Sequence, residues 1–169
     1  EIFPANTHNN SLIDDRFTLK ANTPLLELRS ERSGYTVRLD DEVVGIILPA
    51  TARDGYSGDI ELIVGIAADG TVAGTRVVSH KETPGLGDGI DTRKSPWMLS
   101  FNGRSLISPS QPDWGVKTDG GAFDQFTGAT VTPRAVVAAV RRTLEYQALH
   151  RAQLFEIEVA ENSAVETGP

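Results

Sequence analysis

The chain has 169 residues, 39% of them hydrophobic, which is enough for one domain with a buried core. Acidic residues outnumber basic ones by 23 to 16, for a formal net charge of −7, and no Lys/Arg stripe is present, so nucleic acid is not an expected partner. Cysteine is absent, which excludes disulfides, thiolate metal sites and cysteine-ligated iron–sulfur clusters; the longest apolar runs, such as Val43–Leu48, fall far short of the ~18 residues that cross a bilayer.

Residues 1–33 are polar and mixed, and read as an irregular arm with at most one short helical piece. From Tyr35 the pattern turns to period two. Tyr35–Leu39 and Glu42–Leu48 flank Asp40-Asp41, which predicts a hairpin. Ala50–Gly58 reads as a loop. Ile60, Leu62, Val64 and Ile66 then alternate with Asp59, Glu61, Ile63 and Gly65, the pattern of a strand with one buried face. Asp69-Gly70 turns the chain, and Thr71–Ser79 returns antiparallel. His80–Asp91 is a glycine-rich connection.

A short helix is expected over Ser95–Ser100, with Ser95 as cap and Pro96 in the first turn. Trp114–Lys117 fits a short strand within an otherwise loop-rich stretch. Helical spacing of Val136, Val137, Val140 and Leu144 predicts a long helix from Pro133 to about Ala152. The polar segment Glu161–Pro169 reads as a frayed tail. The fold class is therefore α+β. The single domain combines antiparallel hairpins with a long C-terminal helix and spans residues 34–156, between the arm at 1–33 and a flexible tail at 157–169.

Thr132 before Pro133 has the form of a helix start, a hydroxyl cap followed by a residue without an N–H. Thr130 then lies just outside the helix N-terminus, where unpaired N–H groups and the helix dipole favour an anion. Gly128 and Ala129 leave room for a bulky anionic ligand. On these grounds a phosphate beside Thr130 is reasonable, and so is a plain glycine turn with a capped helix. The loop Gly85-x-Gly87-x-Gly89 has the wrong spacing for a dinucleotide fingerprint. His80, Glu82 and Asp88 make a poor metal ligand set, and no base stands out that would turn Thr130 into a hydrolytic nucleophile. Trp97, Trp114, Tyr56 and Phe126 are candidates either for stacking on a flat ligand or for filling the core.

The segment Asp124-Gln-Phe-Thr-Gly-Ala-Thr130 resembles the flavinylation motif of the FMN-binding domain family, Asp-x-x-Ser/Thr-Gly-Ala-Thr. Further segments are similar to the G subunits of Rnf-type electron transport complexes. These are Asp54-Gly-Tyr-Ser-Gly58, the hairpin Ile60–Val78, Ser79-His-Lys-Glu-Thr-Pro-Gly-Leu-Gly87, Ser100-Phe-Asn-Gly103 and Asp119-Gly-Gly-Ala-Phe-Asp-Gln-Phe126. The likeness covers roughly residues 35–150. The C subunit of the sodium-translocating NADH:quinone oxidoreductase shares the Glu-Thr-Pro-Gly-Leu-Gly and Ser/Thr-Gly-Ala-Thr pieces and resembles the rest less.

The resemblance implies FMN as the cofactor, moved from FAD by a flavin transferase onto the hydroxyl of Thr130 as a phosphoester. Asp124, Thr127, Gly128, Ala129, Val131 and Thr132 surround that attachment point in the sequence. Glu82, Thr83, Gly85 and Leu86 are expected where the glycine-rich loop approaches the ring, and Lys117 at its pyrimidine end. No catalytic residue and no metal ligand is implied.

The role implied is an electron relay within a membrane complex that couples electron transfer to ion translocation. Its partners would be the other membrane subunits, and its place the periplasmic or extracytoplasmic side of the bacterial inner membrane. The chain begins at Glu1 without Met, and the resemblance implies an N-terminal transmembrane anchor absent from it; the chain itself offers no segment for membrane insertion. A stand-alone flavin-dependent reductase and a non-redox scaffold with a structural TGAT turn are the alternatives.

Overall fold

Alternation of apolar and polar side chains drives most of the observed architecture. A computed structural model describes residues 1–157. Five strands, β1 (Arg16–Leu19), β2 (Arg32–Leu39), β3 (Glu42–Gly55), β4 (Gly58–Ala67) and β5 (Val72–Ser79), form one antiparallel sheet in sequence order. A long helix, α1 (Val131–Leu149), and a single turn, α2 (Arg151–Leu154), follow it. The architecture is α+β, as the sequence predicts.

Both expected hairpins form. Asp40 and Asp41 take φ of 52° and 70°, the left-handed pair that a two-residue hairpin turn requires. Ile60, Leu62, Val64 and Ile66 are all fully buried on one face of β4. Val136, Val137, Val140 and Leu144 of α1 pack over that face, mainly against β3 and β4.

The opposite face carries a glycine trough across three strands, Gly45 on β3, Gly65 on β4 and Gly74 on β5. Ile2 and Phe3 are seated in it. A Cβ on Gly65 would lie 2.2 Å from Ile2 Cγ2.

Several expectations are corrected. Ala50–Gly58 is not a loop: Ala50, Thr51 and Ala52 are buried and pair with Leu62, Glu61 and Ile60, so β3 runs on to Gly55. Pairing with β4 outweighs the weak strand signal of Ala50, Ala52, Asp54 and Gly55 there. The arm at 1–33 is less irregular than expected, since β1 adds an edge strand and β2 begins at Arg32.

The expected helix at 95–100 is a 3-10 helix, Trp97–Phe101, with the Ser95 hydroxyl accepting from the Trp97 N–H at 3.2 Å. Trp114–Lys117 contributes a single bridge, Val116 to Phe123, rather than a strand. The long helix breaks at His150 instead of continuing to Ala152. The tail at Glu161–Pro169 lies outside the described residues.

The connection between β5 and α1 is stapled from below. Trp97, Phe101, Trp114 and Phe123 are buried together, with Phe101 and Phe123 ring centroids 4.9 Å apart. The Trp97 indole N–H donates to the Asp124 carbonyl at 2.9 Å, and the Thr75 hydroxyl donates to the Met98 carbonyl at 3.0 Å. This cluster fixes where the chain enters the segment ending at Thr130.

Candidate functional site

The turn before α1 is set by one glycine. The Ala129 N–H donates to the Phe126 carbonyl at 3.2 Å, which places Thr127 and Gly128 at the corner. Gly128 has φ of 75°, a conformation that disfavours any side chain. The helix then starts two residues earlier than its Thr-Pro pair suggests. Thr130 occupies the cap position and α1 begins at Val131, so Thr132 is inside the first turn and is not the cap.

Tertiary contacts account for this shift. The Thr132 side chain is buried, and its hydroxyl donates a very short bond to Glu82 Oε1 instead of capping the helix. Thr130 makes no side-chain capping bond. Its hydroxyl is thus left uncommitted to the helix, beside first-turn N–H groups that have no intrahelical acceptor.

Thr130 lies in a cleft of about 220 Å3 formed by Tyr56, Thr83, Leu86, Gly87, Gly128, Ala129, Val131 and Thr132. Three separate segments meet here: the tip of the β3–β4 hairpin, the loop after β5, and the start of α1. Tyr56, Leu86 and Val131 expose apolar surface at this site, 72%, 45% and 40% respectively. Among the described residues no charged side chain lines the cleft; the positive end of the α1 dipole faces it, and the Glu82 carboxylate lies behind its wall, bonded to Thr132, Tyr56 and Ser57. Pockets that enclose whole ligands run from about 300 to 1,000 Å3. A flat ring in this smaller cleft would keep part of its surface in solvent.

Of the expected site residues, the structure brings together Thr83, Leu86, Gly128, Ala129, Thr130, Val131 and Thr132. The others sit nearby with other partners. Glu82 is 4% exposed, and its carboxylate accepts from the backbone N–H groups of Tyr56 (3.1 Å) and Ser57 (2.8 Å) besides the Thr132 hydroxyl. Gly85, with φ of 81°, forms the turn of the loop, its N–H donating to Asp88 at 2.9 Å. Thr127 is exposed at the corner of its turn. Lys117 and Asp124 pair with each other at 2.8 Å on the surface, both more than half exposed.

Gly87 is a cleft residue absent from the expected site residues, although it closes the glycine-rich Glu82–Gly87 loop. A Cβ there would lie 2.7 Å from Thr132 Oγ1 and 3.0 Å from Glu82 Cβ, so the site requires glycine for close approach. Of the four aromatic candidates only Tyr56 faces the cleft. Trp97 and Trp114 are buried, and Phe126 meets Trp97 edge-on at 5.2 Å. The signal that marks Tyr56 is its place at a hairpin tip, which becomes visible only once β3 is known to reach Gly55.

His80 and Asp88 serve the loop. The His80 Nδ1 accepts the Glu82 N–H at 2.9 Å, and Asp88 also faces Lys94 at 3.6 Å. Nearby, Asp91 is held down to about 2, principally by its hydrogen bonds from the Arg93 side chain. Arg134, in the first turns of α1, is taken up by a two-bond pair with Asp119 at 2.7 and 3.0 Å. This bonding holds the Asp119 carboxyl below its ordinary range.

An α+β domain with an uncapped threonine at a helix start, facing a shallow apolar-walled cleft, matches the FMN-binding domain family over residues 55–145. That span runs from the hairpin tip to the body of α1 and includes every residue of the cleft. The chain belongs to this family, as a G-type subunit of the ion-translocating oxidoreductase complexes.

The G subunit of the ion-translocating oxidoreductase complex of Pseudomonas aeruginosa is 49% identical over 160 residues, covering 95% of this chain and 74% of the relative. Its Vibrio cholerae counterpart is 48% identical over 154 residues, 91% of this chain and 73% of the relative. The Escherichia coli counterpart is 47% identical over 157 residues, with coverage of 93% and 75%.

Proposed function

We propose that this chain carries FMN as a phosphoester on Thr130 and serves as an electron-carrier subunit of an ion-translocating oxidoreductase complex. The observation that carries the reading is the Thr130 hydroxyl, uncapped at the N-terminus of α1 and lining a cleft shared by all three motif segments. The residues present fit such a group. Thr130 would hold the phosphate, with the unpaired N–H groups of Val131 and Thr132 on its anionic side. Tyr56 and Leu86 offer the exposed apolar surface on which a flat ring can lie.

When bound, the flavin supplies one- and two-electron exchange, and the protein supplies retention, orientation and exposure. In attachment, the Thr130 hydroxyl attacks the flavin-side phosphorus of FAD; the Oγ–P bond forms, the pyrophosphate bond breaks, and AMP leaves while the hydroxyl proton is released. The family resemblance supports a separate flavin transferase as the agent of the transfer, and among the described residues none that lines the cleft carries a carboxylate, imidazole or amine. A relay subunit needs its redox group near the surface, and the shallow cleft supports that. The names of the relatives support partners among the other subunits of a membrane complex. The family resemblance supports a position on the periplasmic or extracytoplasmic side.

Co-expression with an active flavin transferase, followed by intact mass measurement, tests the attachment. The expected result is a gain of one FMN that disappears in Thr130→Val. No gain in the wild-type chain, with the transferase shown active on a second acceptor, would overturn it.

A further inference from the structure

Glu82 is a carboxylate, 4% exposed, with no cationic partner among the described residues. Burying such a group is expensive unless its lone pairs are occupied. Here three donors occupy them: Oε1 accepts from the Tyr56 N–H and the Thr132 hydroxyl, and Oε2 accepts from the Ser57 N–H. These donors come from two elements far apart in sequence, and Glu82 itself stands on a third. All three elements are walls of the Thr130 cleft.

A neutral amide could not replace this joint. One end of a Gln side chain would have to present N–H groups to a backbone N–H, leaving at least one donor unsatisfied. The joint is also closely packed, since Gly87 has no room for a Cβ beside Thr132 and Glu82.

We propose that Glu82 is a positioning residue for flavin attachment, acting through Thr132 to set the first turn of α1 and through the Tyr56 and Ser57 N–H groups to set the facing wall. This inference rests on the reading of Thr130 as the FMN acceptor. Thr132 lies two residues beyond the Thr130 cap, in the first turn of α1, so pinning its side chain fixes the backbone that carries the acceptor hydroxyl. The same Oε1 atom holds the backbone of Tyr56. The separation between acceptor and ring ledge is thereby fixed at a single point. Group transfer is sensitive to displacements of an ångström or less, so loosening this point slows attachment without removing any group that reacts.

The test is the initial rate of FMN incorporation by a purified flavin transferase, measured by intact mass on flavin-free chain and normalised to the folded fraction from thermal melting. Glu82→Gln and Thr132→Val are each expected to slow incorporation by about 10- to 100-fold, as loss of a supporting shell does at other sites. Thr132→Ser keeps the hydroxyl and is expected to stay close to wild type. Val137→Ala, a core change on α1, controls for destabilisation alone.

Amide hydrogen exchange in the flavin-free chain gives a second readout, with faster exchange expected at Tyr56 and Ser57 in Glu82→Gln. Wild-type loading combined with normal rates in Thr132→Val and Glu82→Gln would overturn the positioning role alone. So would a Thr132→Ser variant as slow as Thr132→Val. A wild-type chain that takes up no FMN would overturn the attachment reading and this inference with it.

Discussion

At the scale of single residues, the site depends on side chains that are small or missing. Gly87 illustrates the point, because the joint between Thr132 and Glu82 occupies the space its Cβ would need. Overpacking of this kind costs about 1–3 kcal/mol. Gly87→Ala is therefore expected to lower stability by that order in urea denaturation, and to reduce FMN loading. Unchanged stability would mean that the loop shifts freely. Gly128 is constrained differently, by its φ of 75° at the turn corner. Thr130 was legible in the sequence as a motif position through the TGAT segment, whereas the role of Thr132 was not. Thr132 has the residue type of a cap, but a carboxylate fifty residues earlier in the chain captures its hydroxyl. Local rules cannot anticipate a competing partner that only tertiary folding supplies.

At the scale of elements, α1 is both the support of the site and a main wall of the core. Leu144 is fully buried where the helix packs on the sheet, and truncating such a leucine costs about 2–5 kcal/mol. Leu144→Ala is expected to show that loss in chemical denaturation while leaving the cleft chemistry intact per folded molecule, since it lies more than three turns from Thr130. A loading defect larger than the folded fraction explains would contradict this separation. The buried stripe of α1 and the alternation in β4 were readable because each element buries one face with its own period. The extension of β3 to Gly55 was not. Ala50 and Ala52 carry little strand propensity of their own, and pairing with Leu62 and Ile60 decides their conformation. That extension is also what delivers Tyr56 to the cleft.

At the scale of the whole molecule, several carboxylates are held below their ordinary range by arginines. Asp59 is bonded by Arg29, Asp119 by Arg134 and Glu156 by Arg38. In the unfolded chain these groups titrate near their ordinary values of 3.8 and 4.5. Between those values and the lower folded ones the unfolded chain binds more protons, so acid favours unfolding. Their contribution is complete above the ordinary carboxylate range and is lost as pH falls through the folded values; Asp91, bonded by Arg93, extends the range down to about 2. Melting temperature is expected to fall progressively from pH ~4.5 toward pH ~2. Added salt should weaken the dependence, because the pairs are largely exposed. A flat profile across that range would show that the pairs contribute nothing.

The sequence alone determined the α+β class, the two hairpins, the buried face of the long helix, the family and the TGAT motif on which the proposal for Thr130 rests. Each of these is written in local periodicity or in a contiguous motif. Only the tertiary structure decided where the helix begins, that Tyr56 belongs to the site, and that Glu82 faces protein donors. Those outcomes depend on hydrogen bonds between segments 25 to 50 residues apart. The Thr132 hydroxyl is held by Glu82, and the Thr130 side chain at the cap position makes no capping bond.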